Sequence, residues 1–159
     1  MGLDASALQR RIPKHARLLL DTTTLIAYLN GTEDVSDVAA HVIDRFVGSE
    51  RNAAAVSMIT VMEVLVRPIK QNIPGSTHAR DFLMRFPNLT AAPIDFAIAT
   101  EAATLRAREK FRPPDALIIA TGLVYQTGFL LTNDRSWQKK LHPIKDRIEV
   151  VNLSDYVAR

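Results

Sequence analysis

Leu18-Leu19-Leu20-Asp21 decides the fold. Three consecutive leucines form a short strand of the buried type that runs into an acid, and the segment Thr22 to Leu29 reads as a helix stopped by Asn30 and Gly31. The same alternation repeats downstream. Val35, Val38, Ala39, Val42, Ile43 and Phe46 lay one apolar stripe along a helix ending at Gly48. Ala53 to Val56 is a second strand, and the helix after it, carrying Glu63, must end or bend before Pro68. Phe82, Leu83 and Phe86 mark a helix closed by Pro87, and Leu89 to Ile94 a strand. Asp95 caps a helix reaching about Phe111, which Pro113 and Pro114 break. The run Asp115 to Tyr125 is apolar on nearly every face, as in a helix buried in the core, with Gly128 at its end. Phe129 to Leu131 and Ile148 to Val151 complete the strands. Strands alternating with helices imply an α/β fold with a parallel sheet covered on both sides.

Upstream of Leu18, residues 1–16 mix Arg10, Arg11, Lys14 and His15 with Pro13 and show little apolar periodicity. They read as a loosely attached arm or short helix before a domain spanning 17–159. A chain of 159 residues, 47% apolar, suits one domain with one continuous core. A net charge of +3 and a pI near 9.4 are compatible with a polyanionic partner without requiring one. The absence of cysteine removes disulfides, thiolate zinc sites and a cysteine nucleophile. No apolar run approaches the roughly 18 to 20 residues that span a bilayer, and the first residues hold no signal-peptide core. The expectation is a soluble, cytoplasmic protein with no membrane association.

Four acids adjoin apolar sequence: Leu18-Leu19-Leu20-Asp21, Thr60-Val61-Met62-Glu63, Pro114-Asp115-Ala116-Leu117 and Phe129-Leu130-Leu131-Thr132-Asn133-Asp134. Each has an ordinary structural explanation. Asp21 would cap the following helix and Asp134 would hold a turn. Thr60 and Glu63 have the spacing of a capping box. Asp115 would complement a helix dipole. Together they say more, because strand ends and the helix starts that follow them line one edge of a parallel sheet, where ligands bind. Carboxylates gathered there repel and are costly to desolvate unless a cation compensates. Mg²⁺ or Mn²⁺ prefers such oxygen ligands and retains waters, one of which can attack phosphorus. A metal-dependent phosphodiesterase follows as the expectation.

These strings, Asp21-Thr22-Thr23 after an apolar strand, Thr60-Val61-Met62-Glu63, Pro114-Asp115-Ala116-Leu117-Ile118-Ile119-Ala120 and Thr132-Asn133-Asp134, together resemble the PIN-domain nucleases, particularly the VapC-type toxins. The resemblance runs from about Arg17 to the C-terminus. It implies a three-layer α/β/α sandwich with a mainly parallel central sheet, and a Mg²⁺- or Mn²⁺-dependent endoribonuclease that cleaves single-stranded RNA by a metal-activated water. It implies roles as well. Asp21 and Asp115 match the principal metal ligands, Glu63 the acid that orients or activates water, and Asp134 a fourth acid acting through water. Thr23 and Thr132 match hydroxyls that bond the acids or substrate. The family's toxins pair as homodimers and are blocked by an antitoxin peptide in an apolar groove, to which Leu25, Ile26, Tyr28 and Leu29 would contribute here if not committed to the core. Two features depart from the pattern: the arm before the first strand, and Thr at position 23 where Ser or Asn is common.

Arg106, Arg108, Lys110 and Arg112 precede Asp115, and Arg135, Lys139 and Lys140 follow Asp134, so positive charge flanks two proposed ligands where RNA phosphates need neutralising. Complementing a helix dipole is the competing use of the first cluster. Trp137 would stack on a base or pack in the core. His15, His41, His78 and His142 share no motif, which disfavours histidine-driven cleavage. A haloacid-dehalogenase-type phosphatase would need an acid where Thr23 stands, and a response-regulator receiver would need paired acids after its first strand and a Lys after its last. The remaining alternative is a catalytically weak PIN fold that binds RNA or a partner. Retention of all four acids favours the nuclease, as the toxin of a toxin–antitoxin pair.

Overall fold

In the computed structural model, which describes residues 2–72 and 74–159, the leucine triplet is the middle strand of a five-stranded sheet with every pairing parallel. In chain order the elements are α1 (Ala5–Arg11), β1 (Leu18–Leu20), α2 (Thr22–Asn30), α3 (Ser36–Ala40), β2 (Ala54–Ser57), α4 (Met58–Lys70), α5 (Gly75–Arg85), β3 (Leu89–Ala92), α6 (Phe96–Glu109), α7 (Pro113–Val124), β4 (Phe129–Thr132), α8 (Ser136–Leu141) and β5 (Glu149–Asn152). The strands lie in the order β3-β2-β1-β4-β5. The chain winds outward from β1 in one direction, then returns to lay β4 against the other side of β1. That reversal places a topological switch point between β1 and β4, where the crevice beyond the strand ends is open to a ligand.

The strand side chains alternate between two cores. Leu18, Leu20, Val56, Leu131 and Val151 face α2, α3, α4 and α5, whereas Leu19 and Leu130 face α6, α7 and α8. This makes the three-layer α/β/α sandwich expected from the alternation and the resemblance. Burial of all three leucines of β1 explains why its sequence carries no polar partner positions. Gly122 lets α7 approach the sheet closely, since a Cβ there would meet Leu19 Cδ2 and Thr127 Oγ1 at 2.7 Å each. No helix among the described residues is long and apolar enough to cross a membrane.

Several element boundaries differ from the sequence reading. α4 does not stop before Pro68 but runs to Lys70, with the proline inside its last turn. Pro68 forfeits one backbone bond, its own to the carbonyl of Val64, and the helix continues past that gap to close with Gln71 N donating to Arg67 O at 3.1 Å. The stripe from Val35 to Phe46 is not one α-helix: after Ala40 it widens into a π-helical segment, His41–Val47, ending with Gly48 N donating to Ile43 O at 2.8 Å. β3 ends at Ala92 because Pro93 has no N–H to extend the ladder. α7 ends at Val124 rather than at Gly128, which instead enters β4 with its N–H on Arg17 O. α8, seated between the Asn133-Asp134 turn and β5, has no counterpart in the sequence reading. Within the first 16 residues α1 is capped by Asp4, and Leu8 and Ile12 are fully buried. Arg51 and Asn52 hold the segment that follows α1 through the carbonyls of Ile12, Pro13 and Ala16.

Candidate functional site

Asp21 occupies the first position beyond β1, at the switch point. It stands at the N-cap of α2, yet its side chain makes no capping bond. Its Oδ2 instead accepts hydrogen bonds from Thr132 Oγ1 at 2.7 Å, from the end of β4, and from Thr23 Oγ1 at 3.2 Å. The carboxylate is 4% exposed. Burial pushes its pKa up, while the hydroxyls of Thr132 and Thr23, the backbone of Thr22 and the indole of Trp137 act in the opposite direction without cancelling it.

The two hydroxyls also shape the β4 turn. Thr132 Oγ1 accepts from Asp134 N at 2.9 Å, and Thr23 Oγ1 accepts from Asn133 N at 2.8 Å. Asp134 is thus tied to Asp21 through one threonine. Its Oδ1 accepts from Ser136 N at 2.9 Å, the Asx-type turn expected of it. Burial raises the pKa of Asp134, but bonds from Ser136 and the charge of Lys140 outweigh it, so the carboxyl lies below the ordinary range.

Glu63 reaches the same edge from α4. The capping box does not form: Ser57 caps α4 through Ile59 N, and Thr60 lies inside the helix. Glu63 is free to face across the crevice, where Thr22 Oγ1 donates to its Oε2 at 2.7 Å. Adjacent residues of α2 therefore touch two acids, Thr22 on Glu63 and Thr23 on Asp21.

Asp115 arrives from the other face of the sheet. Pro113 and Pro114 fill the first helical positions of α7, whose N–H groups would go unpaired in any case, and Asp115 falls in the first turn. α7 runs antiparallel to the strands, since the segment after it enters the start of β4, so its N-terminus lies at the edge holding Asp21. Its carboxylate is paired with Lys140 of α8, Nζ to Oδ2 3.1 Å. Lys140 rests over the buried Trp137 ring at 4.7 Å from the centroid.

The four acids therefore share one sheet edge and are linked through Thr22, Thr23, Thr132 and Lys140. Among the described residues, however, no three acids or histidines stand close enough together to form a ready-made metal cluster. The donor set consists wholly of carboxylate and hydroxyl oxygens, chemistry suited to a hard divalent cation. Asp21, desolvated and bonded only by neutral groups, has the charge deficit such a cation would meet.

The basic residues divide. Arg106, Arg108, Lys110 and Arg112 are exposed and form no salt bridge among the described residues. Lys110 and Arg112 line a pocket of about 210 Å³ with Asp115 and Lys140. Arg135 is instead committed to Asp155 and Ser154, at 2.7 and 2.8 Å. A larger groove, about 460 Å³, is lined by Ile26, Leu29, Glu63, Val64, Arg67 and Pro68 among others. Of the other two residues expected there, Leu25 is fully buried and Tyr28 packs on Phe82 and Phe86 while bonding Asp44. Sequence reasoning missed the Thr22 and Lys140 contacts; adjacency to Asp21 and a basic residue one helix beyond Asp134 were the available signals.

The PIN domain family profile matches residues 18–141, the span from β1 to the end of α8. The chain belongs to the PIN domain family. Solved PIN-like structures similar to it include a toxin–antitoxin complex from Klebsiella pneumoniae, 26% identical with a TM-score of 0.62, the alignment covering 86% of this chain and 97% of that chain. FitAcB from Neisseria gonorrhoeae is 18% identical, TM-score 0.63, covering 86% and 98%. VapC20 of Mycobacterium tuberculosis, a sarcin-ricin loop cleaving toxin, is 13% identical, TM-score 0.60, covering 77% and 93%. The last two bear on the fold of this PIN domain alone. No curated protein matches the chain significantly.

Proposed function

We propose that this PIN domain is a divalent-metal-dependent endoribonuclease acting on single-stranded RNA, the toxin of a toxin–antitoxin pair. The observation that carries the reading is the buried Asp21 at the β1/β4 switch point, held by Thr132 and Thr23, with Glu63, Asp115 and Asp134 delivered to the same edge. A desolvated carboxylate lacking a cation in contact is a cost that folding alone does not reward.

Asp21 and Asp115 would be the principal holders of Mg²⁺ or Mn²⁺, with Glu63 and Asp134 completing the oxygen set. The bound ion would supply charge neutralisation and Lewis acidity at a phosphodiester. The chain's own residues divide the remaining work. Thr132 and Thr23 favour the ionised form of Asp21 against its burial, and aim it, by donating to one of its oxygens. Glu63, exposed at the crevice and steadied by Thr22, is the acceptor placed to orient a water and take its proton. Lys110 and Arg112, which line a pocket with Asp115, offer cations for the RNA backbone, and the exposed Arg106 and Arg108 at the end of α6 would extend that charge. Arg135 would have to leave Asp155 to join them.

The antitoxin reading rests on the solved neighbours, which include toxin–antitoxin complexes, and on the groove beside Glu63 that an apolar peptide segment would fill. A homodimer is proposed on the same family resemblance. The test is direct. Purified protein should cleave single-stranded RNA with Mn²⁺ or Mg²⁺, and EDTA should abolish cleavage. Full activity in EDTA would overturn the mechanism, and RNA binding without cleavage under any metal would favour a binding module.

A further inference from the structure

We propose that Lys140 is a built-in counter-cation of the acid site, competing with the divalent ion for Asp115 and so setting the affinity at which this PIN domain loads metal. The inference rests on the proposed metal dependence. Lys140 Nζ lies 3.1 Å from Asp115 Oδ2, in a pair only partly exposed, at 37% and 20% for the two side chains. The ammonium is not there by chance of a long flexible stem: it sits 4.7 Å from the Trp137 ring centroid, and Trp137, 3% exposed, is a fixed platform in the core beneath α8. Trp137 and Lys140 are three residues apart on α8, the spacing that puts both on one face.

The cation is held on Asp115 and over the Trp137 ring at the mouth of the acid edge. In the metal-free chain this relieves the repulsion that gathering acids at one edge creates. The same placement opposes a divalent ion, because a positive charge held beside a ligand carboxylate weakens binding of a second one. Loading metal requires Lys140 to give up Asp115, and the freed ammonium then stands at the site mouth beside Lys110 and Arg112, which line the same pocket.

Mn²⁺ binding measured calorimetrically on the full chain, without RNA, tests this. Lys140→Met is expected to bind Mn²⁺ about fivefold or more tightly than wild type, while Lys140→Arg stays near wild type. Thermal unfolding provides the second readout. In EDTA, Lys140→Met should melt a few degrees lower than wild type, and saturating Mn²⁺ should raise its melting temperature more than it raises that of wild type. Equal or weaker Mn²⁺ affinity in a folded Lys140→Met would overturn the counter-cation role and leave the nuclease reading intact. If neither wild type nor Lys140→Met binds Mn²⁺, the metal reading fails and this proposal with it. Loss of Mn²⁺ binding in Asp21→Asn, in either Lys140 background, would locate the ion at this edge.

Discussion

Thr132 at the end of the fourth strand and Asp21 just beyond the first, 111 residues apart in the chain, are joined by a 2.7 Å hydrogen bond in which the threonine hydroxyl donates and the buried carboxylate accepts. The same hydroxyl oxygen receives Asp134 N, so one side chain with no solvent exposure fixes both acids across the switch point. Thr132→Val removes both bonds without changing shape and strands a buried carboxylate. It should lower stability by about 2 kcal/mol and impair metal-dependent cleavage. Thr132→Ser, which keeps the hydroxyl, should recover most of both. Urea unfolding of the pair, beside an RNA cleavage assay, checks this.

Asp21 itself stands on the opposite side of that balance. Burial disfavours its charge, and among the described residues no salt bridge reaches it. Asp21→Asn, which can still accept from Thr132 and Thr23, should reduce RNA cleavage to background yet stabilise the protein in EDTA by about 1 kcal/mol, a rise of about 2–4 °C in melting temperature for a domain of this size. A variant that loses activity and also loses stability would argue that the carboxylate serves the fold.

Thr22 and Glu63 act as one unit across the crevice. Glu63→Gln should abolish most cleavage, and Thr22→Val, which leaves the acid in place but unsteadied, should reduce kcat about tenfold with little change in KM. The double variant should be no worse than Glu63→Gln, a non-additivity that steady-state kinetics on a short RNA can measure. Additive losses would assign Thr22 a separate role.

Away from the site, Tyr28 donates its phenol proton to Asp44 Oδ1 at 2.9 Å. Burial and then the Asp44 carboxylate push its pKa from 10.0 up to about 12. Because the folded form resists ionisation, this contribution to stability is fully present below pH 10 and is lost as pH rises toward 12. Ultraviolet absorbance titration should show a late-ionising tyrosine that Tyr28→Phe removes. That variant should also lose less stability than wild type across the same interval.

Much of the fold was legible locally. Buried-type strands, the Asn30-Gly31 stop and the Asp95 cap are short-range devices, and α2 does end with Gly31 in the left-handed region while Asp95 accepts from Ile98 N. The boundaries that shifted were those where context outweighed the local signal. Pro68 removed one backbone bond without ending α4, and the stripe through Val42 and Phe46 could be met by a π-helical turn as well as by an α-helix. The Thr60–Glu63 spacing suggested a cap, but Ser57, three residues earlier, had the hydroxyl at the strand end and took that role.

The residue types at Asp21, Asp115 and Asp134, and the apolar sequence around each, were sufficient to mark them as acids at element ends, and Glu63 as an acid on a helix, because hydrophobic periodicity and capping act within a few residues. Their partners were not readable in that way. That Thr132 serves Asp21, that Thr22 rather than Thr60 engages Glu63, and that Lys140 pairs with Asp115 depend on the order in which strands are laid side by side and on the helices packed against them. A hydrogen bond is decided within about 3 Å, and those separations are set by the crossover of the chain at β1 and β4, which no local stretch encodes.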